Sequence, residues 1–313
     1  MIEFVNFYLF PALAIGSIYA LGAVGISMIF GILRFAHFAH GDLMTLGTYG
    51  VLAMAAIVPV NPLLLIPFGM ALTIVSALLV DRYFYKPLRE LPTIYTVISS
   101  FGIALVFRSI VQLVWGSQNQ VFSTGVKPPL VLFDTFRVSV LHLQAVISTA
   151  IIAVLLHYFL TVTRTGRSMR AVADDPELAE VSGLDTAKVI RWTWIIGAAL
   201  AAIAGTFAAL NTSAHPNLGW NLLMPMFAAA ILGGIGKPMG AMAGGFIIGL
   251  AEELSSYHWI GDDALISPSY KTAVAFALLA SLALFHAQGL LQGTVPLLAR
   301  IATSFFRSLL QTL

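Results

Sequence analysis

The sequence predicts an all-α, polytopic transmembrane helix bundle of about eight spans, some of them broken or re-entrant. Three observations predict it. The chain is 59% hydrophobic and 10% charged, against roughly 25% charged in an ordinary soluble domain. Apolar runs recur along the whole length without a long polar block, so residues 1–313 read as a single integral membrane domain. Small residues recur every four positions, which lets helix backbones approach closely in lipid.

Crossing ~30 Å of hydrocarbon takes about 20 apolar residues. Such runs lie near 4–30, 43–60, 63–80, 93–115, 141–162, 192–210 and 272–290. The first of them follows a start without the basic residues of a signal peptide, and it is expected to be retained. Leu222–Ile235 and Met239–Glu253 are shorter, 14 and 15 residues. They span roughly 21 and 22 Å as helices. Short segments of this kind are tolerated at membrane depth where they are buried in protein or line a cavity.

Sidedness follows from the basic residues, because short loops rich in Lys and Arg stay in the cytoplasm. Arg82, Lys86 and Arg89 form one group; Arg164, Arg167, Arg170, Lys188 and Arg191 form another. The outer segments 116–140 and 211–221 hold only Lys127 and Arg137. The N-terminus is therefore expected outside and the C-terminus in the cytoplasm. The tail 296–313 places Leu298, Ile301, Phe305 and Leu309 on one face, as an amphipathic helix on the inner leaflet would.

The small-residue ladders name the expected packing faces. Gly197, Ala201, Gly205 and Ala209 form one; Ala12, Gly16 and Ala20 a second; Gly236, Gly240 and Gly244 a third, with Gly245 and Gly249 beside it.

The stretch "GILRFAHFAHGD" (31–42) interrupts two apolar runs with Arg34, His37, His40 and Asp42. Imidazole and carboxylate could ligate a metal, yet the other histidines are scattered singly along the chain. A second reading is a polar break at the inner mouth of a pathway, with Gly41 permitting the bend. A third is structural, with Arg34 reaching the interface and the rings satisfying backbone groups of the turn. Arg108 lies inside a span, with Gln112 one turn on; an intramembrane charge marks a functional site by default, but this one could also reach outward to the interface. Glu252 and Glu253 end a short helix near the outer side, where interfacial water would solvate them.

"GGIGKPMG" (233–240) invites a phosphate-loop reading that its spacing refuses. Ile231 stands where the motif needs glycine, and Pro238 where it needs Ser or Thr. No nucleotide site is expected in this chain. A tight turn or a lining of the substrate route remains. No serine sits in a nucleophile elbow, so catalysis finds no support.

The loop 164–191 is punctuated as two short helices. Asp175 can cap one that begins at Pro176 and ends at Gly183, and Asp185 can cap the next. A helix of two turns is unstable alone, so it must be held by the bundle or by a partner; Leu178 and Val181 share one face.

At this loop the chain resembles the permeases of ABC importers for branched-chain amino acids and related small polar compounds. The pattern Arg170-Ala171, Ala173, Asp174, Ala179, Gly183 is similar to that family's coupling helix, which seats in an ATPase subunit. The blocks 16–49, 228–252 and "LFHAQGL" (284–290) resemble its other motifs at family spacing. One departure is His37, where the family commonly carries Asn, so an ionisable ring replaces an amide.

The resemblance implies a non-enzymatic permease subunit in the bacterial inner membrane. Its substrate would be a branched-chain or other hydrophobic amino acid, with urea, short amides or small organic acids as alternatives. A stand-alone channel or secondary carrier is the rival class, and it would not need the capped loop. No cofactor is implied in this chain; ATP and Mg would belong to two partner ATPase subunits. A second permease, expected to be a paralogue, and a periplasmic binding protein complete the assembly, with membrane lipid around it and no nucleic acid. Residues expected to couple to the ATPase are Arg170, Ala171, Asp174, Asp175, Pro176, Leu178, Ala179, Val181 and Gly183. Those expected on the substrate route are His37, His40, Gly41, Asp42, Arg108, Gly233, Gly234 and Gly236. Gly16, Gly197, Gly205, Gly240 and Gly244 are expected to pack helices.

Overall fold

The computed structural model describes residues 4–122, 128–132, 136–258, 267 and 270–281. The tail helix 296–313 and the "LFHAQGL" motif lie outside these residues. The chain is a helical bundle. Helix α1 is Val5–Leu33, π-wound over Val5–Leu9. Then come α2 (Ala39–Ile57), α3 (Pro62–Leu88), α4 (Thr93–Trp115) and α5 (Val140–Val162). Two short helices follow, α6 (Arg164–Asp174) and α7 (Pro176–Val181). The series closes with α8 (Thr186–Asn211), α9 (Leu218–Leu232), α10 (Pro238–Leu254) and α11 (Thr272–Ser281).

Five of these, α1, α3, α4, α5 and α8, are long and apolar enough to cross a membrane. One departure from the all-α expectation is a small hairpin between α4 and α5. Leu130–Leu132 (β1) pairs antiparallel with Phe136–Val138 (β2), Leu130 opposite Val138.

Burial separates an inner layer from an outer one. The most apolar windows of α1 and α8 are 83% and 72% buried, whereas those of α3, α4 and α5 are 28%, 22% and 22%. The inner helices are those that carry small-residue ladders, because only a face without side-chain bulk lets helices meet on several sides. α1 runs antiparallel to α10, with Gly245 facing Ala20, Gly249 facing Gly16, and Gly31 facing Gly236. A Cβ on Gly31 would come within 2.8 Å of the Gly236 Cα. α8 fits between α1, α2 and α3: Gly197 abuts Ile29, Gly205 abuts Met44 and Thr48, and the Thr73 hydroxyl of α3 donates to the Ala198 carbonyl at 3.2 Å.

The third ladder divides its work differently from the expectation. Gly240 and Gly244 face Gly233 and Ala229 and close the α9–α10 pair, while Gly245 and Gly249 meet α1.

The α1–α2 break also differs. Gly41 does not make the bend; it lies inside α2, which starts at Ala39. The chain turns at Arg34, which holds a left-handed φ of 59° and donates its N–H to the Phe30 carbonyl. Its guanidinium donates to the Ala173 carbonyl at 2.6 Å, tying the end of α1 to α6. Tyr85, near the end of α3, packs on Phe35 and His37. Both basic loops therefore gather at one end of the bundle.

Candidate functional site

The polar centre of the bundle forms where three helices converge. Asp42 is in the first turn of α2, where the helix dipole favours a carboxylate, and it is 1% exposed. Arg108 of α4 approaches both its oxygens, Nε to Oδ1 and Nη2 to Oδ2, each at 3.0 Å. Such a bidentate pair is the geometry that best offsets the desolvation of two charges. Arg108 stands roughly 22 Å along α4 from Thr93 and roughly 10 Å from Trp115. The reading in which it reaches outward is thus corrected: the side chain crosses to Asp42, because a buried carboxylate attracts it more strongly than the interface. Gln112 is exposed.

Trp220 of α9 completes the centre, its ring 4.8 Å from the Arg108 guanidinium carbon. A tryptophan face beside a guanidinium adds a cation–π attraction. Trp220 also meets Phe101, at 5.6 Å between ring centroids, and Phe38 lies 6.1 Å from Phe101 and 5.6 Å from Phe227. The result is a partly open aromatic wall, with Phe101 43% exposed, beside a buried ion pair.

Backbone contacts hold this arrangement. Gly41 and Gly219 touch directly, and a Cβ on either would run into the other's carbonyl oxygen. The Thr45 hydroxyl accepts from Gly219 N–H at 3.0 Å and donates to the Gly41 carbonyl at 3.2 Å. The first turns of α2 and α9 are thereby joined. The break itself is held by Ser100, whose hydroxyl accepts from Phe38 N–H at 3.2 Å. Ser100 is about two turns, roughly 10 Å, into α4. The break is therefore sunk inside the bundle.

His37 and His40 are buried as fully as Asp42, at 1% and 0% exposed. His37 Nε2 shares a hydrogen bond with the Tyr85 hydroxyl at 3.0 Å, and its ring meets Trp194 edge-on at 5.0 Å. His40 fills the space that Gly25 leaves; a Cβ there would come within 2.6 Å of its Cε1. Asp42 is committed to Arg108, and among the described residues no three His, Cys, Asp or Glu side chains converge as metal ligands would. The structure joins His37 to His40 and Asp42 to Arg108. It does not join either pair to Gly233, Gly234 and Gly236, which form the α9–α10 turn with φ of 94° and 79° at Gly234 and Gly236.

Sequence reasoning missed Thr45, Ser100 and Trp220, whose roles depend on contacts with other helices. It also misread the acids of α10. Glu252 is 1% exposed and accepts from the Tyr19 hydroxyl, and Glu253 pairs with Lys271. Partner groups, rather than interfacial water, stabilise them, because α10 presses Glu252 against Tyr19 of α1 and Lys271, just before α11, reaches Glu253.

The second site is the α6–α7 loop. Asp175 Oδ1 accepts from Leu178 N–H at 3.0 Å, with Pro176 opening α7. Leu184 N–H returns to the Ala179 carbonyl at 3.1 Å around Gly183, at φ 80°, a Schellman closure that favours glycine. Asp185 caps α8 through Lys188 N–H at 2.9 Å. Ala179 is the buried anchor, while Leu178 and Val181 are 63% and 87% exposed. Arg170, Ala171 and Asp174 are exposed on α6. A short helix that displays its two largest apolar side chains has the form of a docking surface.

Residues 8–283 match the family model described as "Branched-chain amino acid transport system / permease component". The chain is 35% identical to the "High-affinity branched-chain amino acid transport system permease protein LivH" of Escherichia coli (strain K12), over 90% of this chain and 94% of that protein. It is 34% identical to the protein of the same name from Salmonella typhimurium, with the same coverage. It is 31% identical to "High-affinity branched-chain amino acid transport system permease protein BraD" of Pseudomonas aeruginosa, over 89% and 93%.

Proposed function

The chain belongs to the family of branched-chain amino acid transport permease components, and from that membership we propose that it is the membrane subunit of an ATP-driven importer for branched-chain amino acids. It resides in the inner membrane and is not itself an enzyme. Partner ATPase subunits carry ATP and Mg, a second permease subunit completes the pathway, and a periplasmic binding protein delivers substrate to the outer segments. The end that gathers the basic loops faces the cytoplasm, with the N-terminus outside, the C-terminus inside and about eight spans between. α9 and α10, the shorter pair, cross where neighbouring helices shield their ends.

The observation that carries this reading is the capped, solvent-displayed α7. Asp175, Ala179 and Gly183 fix its backbone while Leu178 and Val181 are left without partners among the described residues. ATPase movement would reach the bundle through Arg34, which bonds the Ala173 carbonyl one residue before the end of α6. Arg34 stands three residues before His37, so motion of α6 acts directly on the break that leads to Asp42.

An amino acid fits the polar centre better than urea or a short amide does. Asp42 and Arg108 satisfy each other in this structure, so an ammonium would replace Arg108 at Asp42 and a carboxylate would replace Asp42 at Arg108, while Phe38, Phe101, Trp220 and Phe227 offer an apolar wall to the side chain. His37, His40, Gly41, Gly233, Gly234 and Gly236 support the route from behind as packing and turn residues.

Reconstitution of the chain with its ATPases, second permease and binding protein tests the function. ATP-dependent uptake of labelled leucine, with little uptake of labelled urea, is expected. Uptake of urea alone would transfer the assignment to the amide-type importers, and uptake without any ATPase would make the chain a carrier or channel.

A further inference from the structure

A cavity of about 330 Å³ opens at the basic end of the bundle, away from the polar centre. Its apolar floor comes from Met28 and Ile32 of α1, Leu160 of α5 and Met169 of α6. Its polar rim comes from three separate elements: His157 of α5, Arg170 of α6 and Lys237 of the α9–α10 turn. Asp174 is the single acid on its wall. Among the described residues, neither Arg170 nor Lys237 takes part in an ion pair. The volume falls within the ordinary range of small-molecule pockets, roughly 300–1,000 Å³.

Two further features define the occupant. Helix α6 buries Gly166, Met169 and Val172 and exposes Arg164, Arg167 and Arg170 on its other side. That is the pattern of a basic amphipathic helix at the headgroup level of an anionic leaflet. The cavity is also lined by His157, Leu160 and Thr161 of α5, a helix that exposes the neighbouring Val154 and Tyr158 at 69% and 61%. A ligand seated here would have cations at one end, apolar surface below and the bilayer alongside.

We propose that this cavity binds an anionic phospholipid of the inner leaflet. Its phosphate would lie between Arg170, Lys237 and His157, with the upper part of an acyl chain against the apolar floor and the α5 face. Basic pockets between transmembrane helices on the cytoplasmic side suit this chemistry. The site lies between α6 and the bundle, so the lipid braces the coupling loop against α1 and the α9–α10 turn. ATPase coupling would then depend on the anionic lipid content of the membrane. The site is independent of what passes through the polar centre.

The test uses the complete importer in vesicles of phosphatidylcholine containing a minor fraction of phosphatidylglycerol. Lipid retained through extraction is quantified by mass spectrometry. Phosphatidylglycerol should be enriched over its bulk fraction, and Lys237→Gln should reduce that enrichment about fivefold, the loss expected for one cation near an anionic headgroup. Lys237→Gln with His157→Gln should abolish it, together with the rise of stimulated ATP hydrolysis as the phosphatidylglycerol fraction increases. Arg164→Gln with Arg167→Gln alters the outer face of α6 and leaves the cavity intact, so it should preserve the enrichment.

Equal loss in both double variants would reduce the effect to surface charge and overturn the site. So would retention by the isolated subunit that disappears on assembly, because the cavity would then be a protein interface. Displacement of the bound lipid by millimolar glycerol phosphate would assign the cavity to a soluble phosphate ester and overturn the lipid assignment.

Discussion

Arg108 holds both carboxylate oxygens of Asp42 at 3.0 Å, across 66 residues of sequence and from one membrane helix to another. Removing one partner of a buried pair leaves an uncompensated charge, which typically costs about 3–5 kcal/mol. Arg108→Met should therefore lower the thermal unfolding midpoint of the purified subunit and its yield. Asp42→Asn combined with Arg108→Gln removes both charges at once, so it should recover most of that stability without recovering leucine uptake. Uptake near wild type in the double variant would reduce the pair to a structural clamp.

Gly183 stands at φ 80° with open space around it: a Cβ built there meets nothing within 4 Å. Backbone conformation alone then decides what it tolerates. Gly183→Asn should couple almost normally, because asparagine accepts the left-handed region. Gly183→Val should strain the turn by roughly 1–3 kcal/mol, with an intact bundle but lost uptake and lost transport-stimulated ATP hydrolysis. Asp175→Ala should show a milder defect, since a lost cap costs ~1 kcal/mol. Reconstituted vesicles provide both readouts, and equal behaviour of Asn and Val at position 183 would count against this account.

Leu178 and Val181 carry the exposed face of α7. A charge there disturbs no contact within the chain, so Leu178→Asp with Val181→Asp should keep the wild-type melting temperature. The same variant should fail to copurify with the ATPase subunits. Undiminished copurification would place the docking surface elsewhere on the loop.

The Gly41–Gly219 contact leaves no room for a methyl group. Gly219→Ala should push α2 and α9 apart, misplace Trp220 and sharply reduce the yield of assembled complex. Gly102→Ala is the control, because a Cβ at Gly102 meets nothing within 4 Å, and it should assemble normally. Gly240→Leu belongs with the first class, since Gly240 backs directly on Gly233. Size-exclusion profiles of the three variants separate these outcomes.

The sequence by itself determined the helical, membrane-spanning character of the chain, the gathering of basic loops at one end and the short capped helix α7. Each of these rests on local physics. Twenty apolar residues make a span wherever they fall in a chain, and Asp175 and Gly183 bound α7 through hydrogen bonds to residues within three positions, with the fixed φ of Pro176 opening it. The small-residue ladders announced which helices would be central, because absence of bulk is written in composition. Their partners were not written there: nothing near Gly245 or Gly249 names Ala20 and Gly16.

Tertiary structure alone decided where the charges went. Arg108 was visible as an intramembrane charge and Asp42 as part of the polar break between two apolar runs, but their pairing required α2 to lie beside α4. Trp220 joined them because Gly219 lets α9 begin against Gly41. His37 and His40 allowed a ligand, a pathway or a core reading, the first weakened by the scatter of the other histidines, and only the packing of α1, α3 and α8 around them made them interior side chains. Glu252 and Glu253 look like residues for water until α10 is laid against α1, which brings Tyr19 to Glu252, and until Lys271 meets Glu253. Burial of a polar group is tolerable when a partner arrives with it, and that partner is supplied by the arrangement of distant helices, which no local pattern in the sequence encodes.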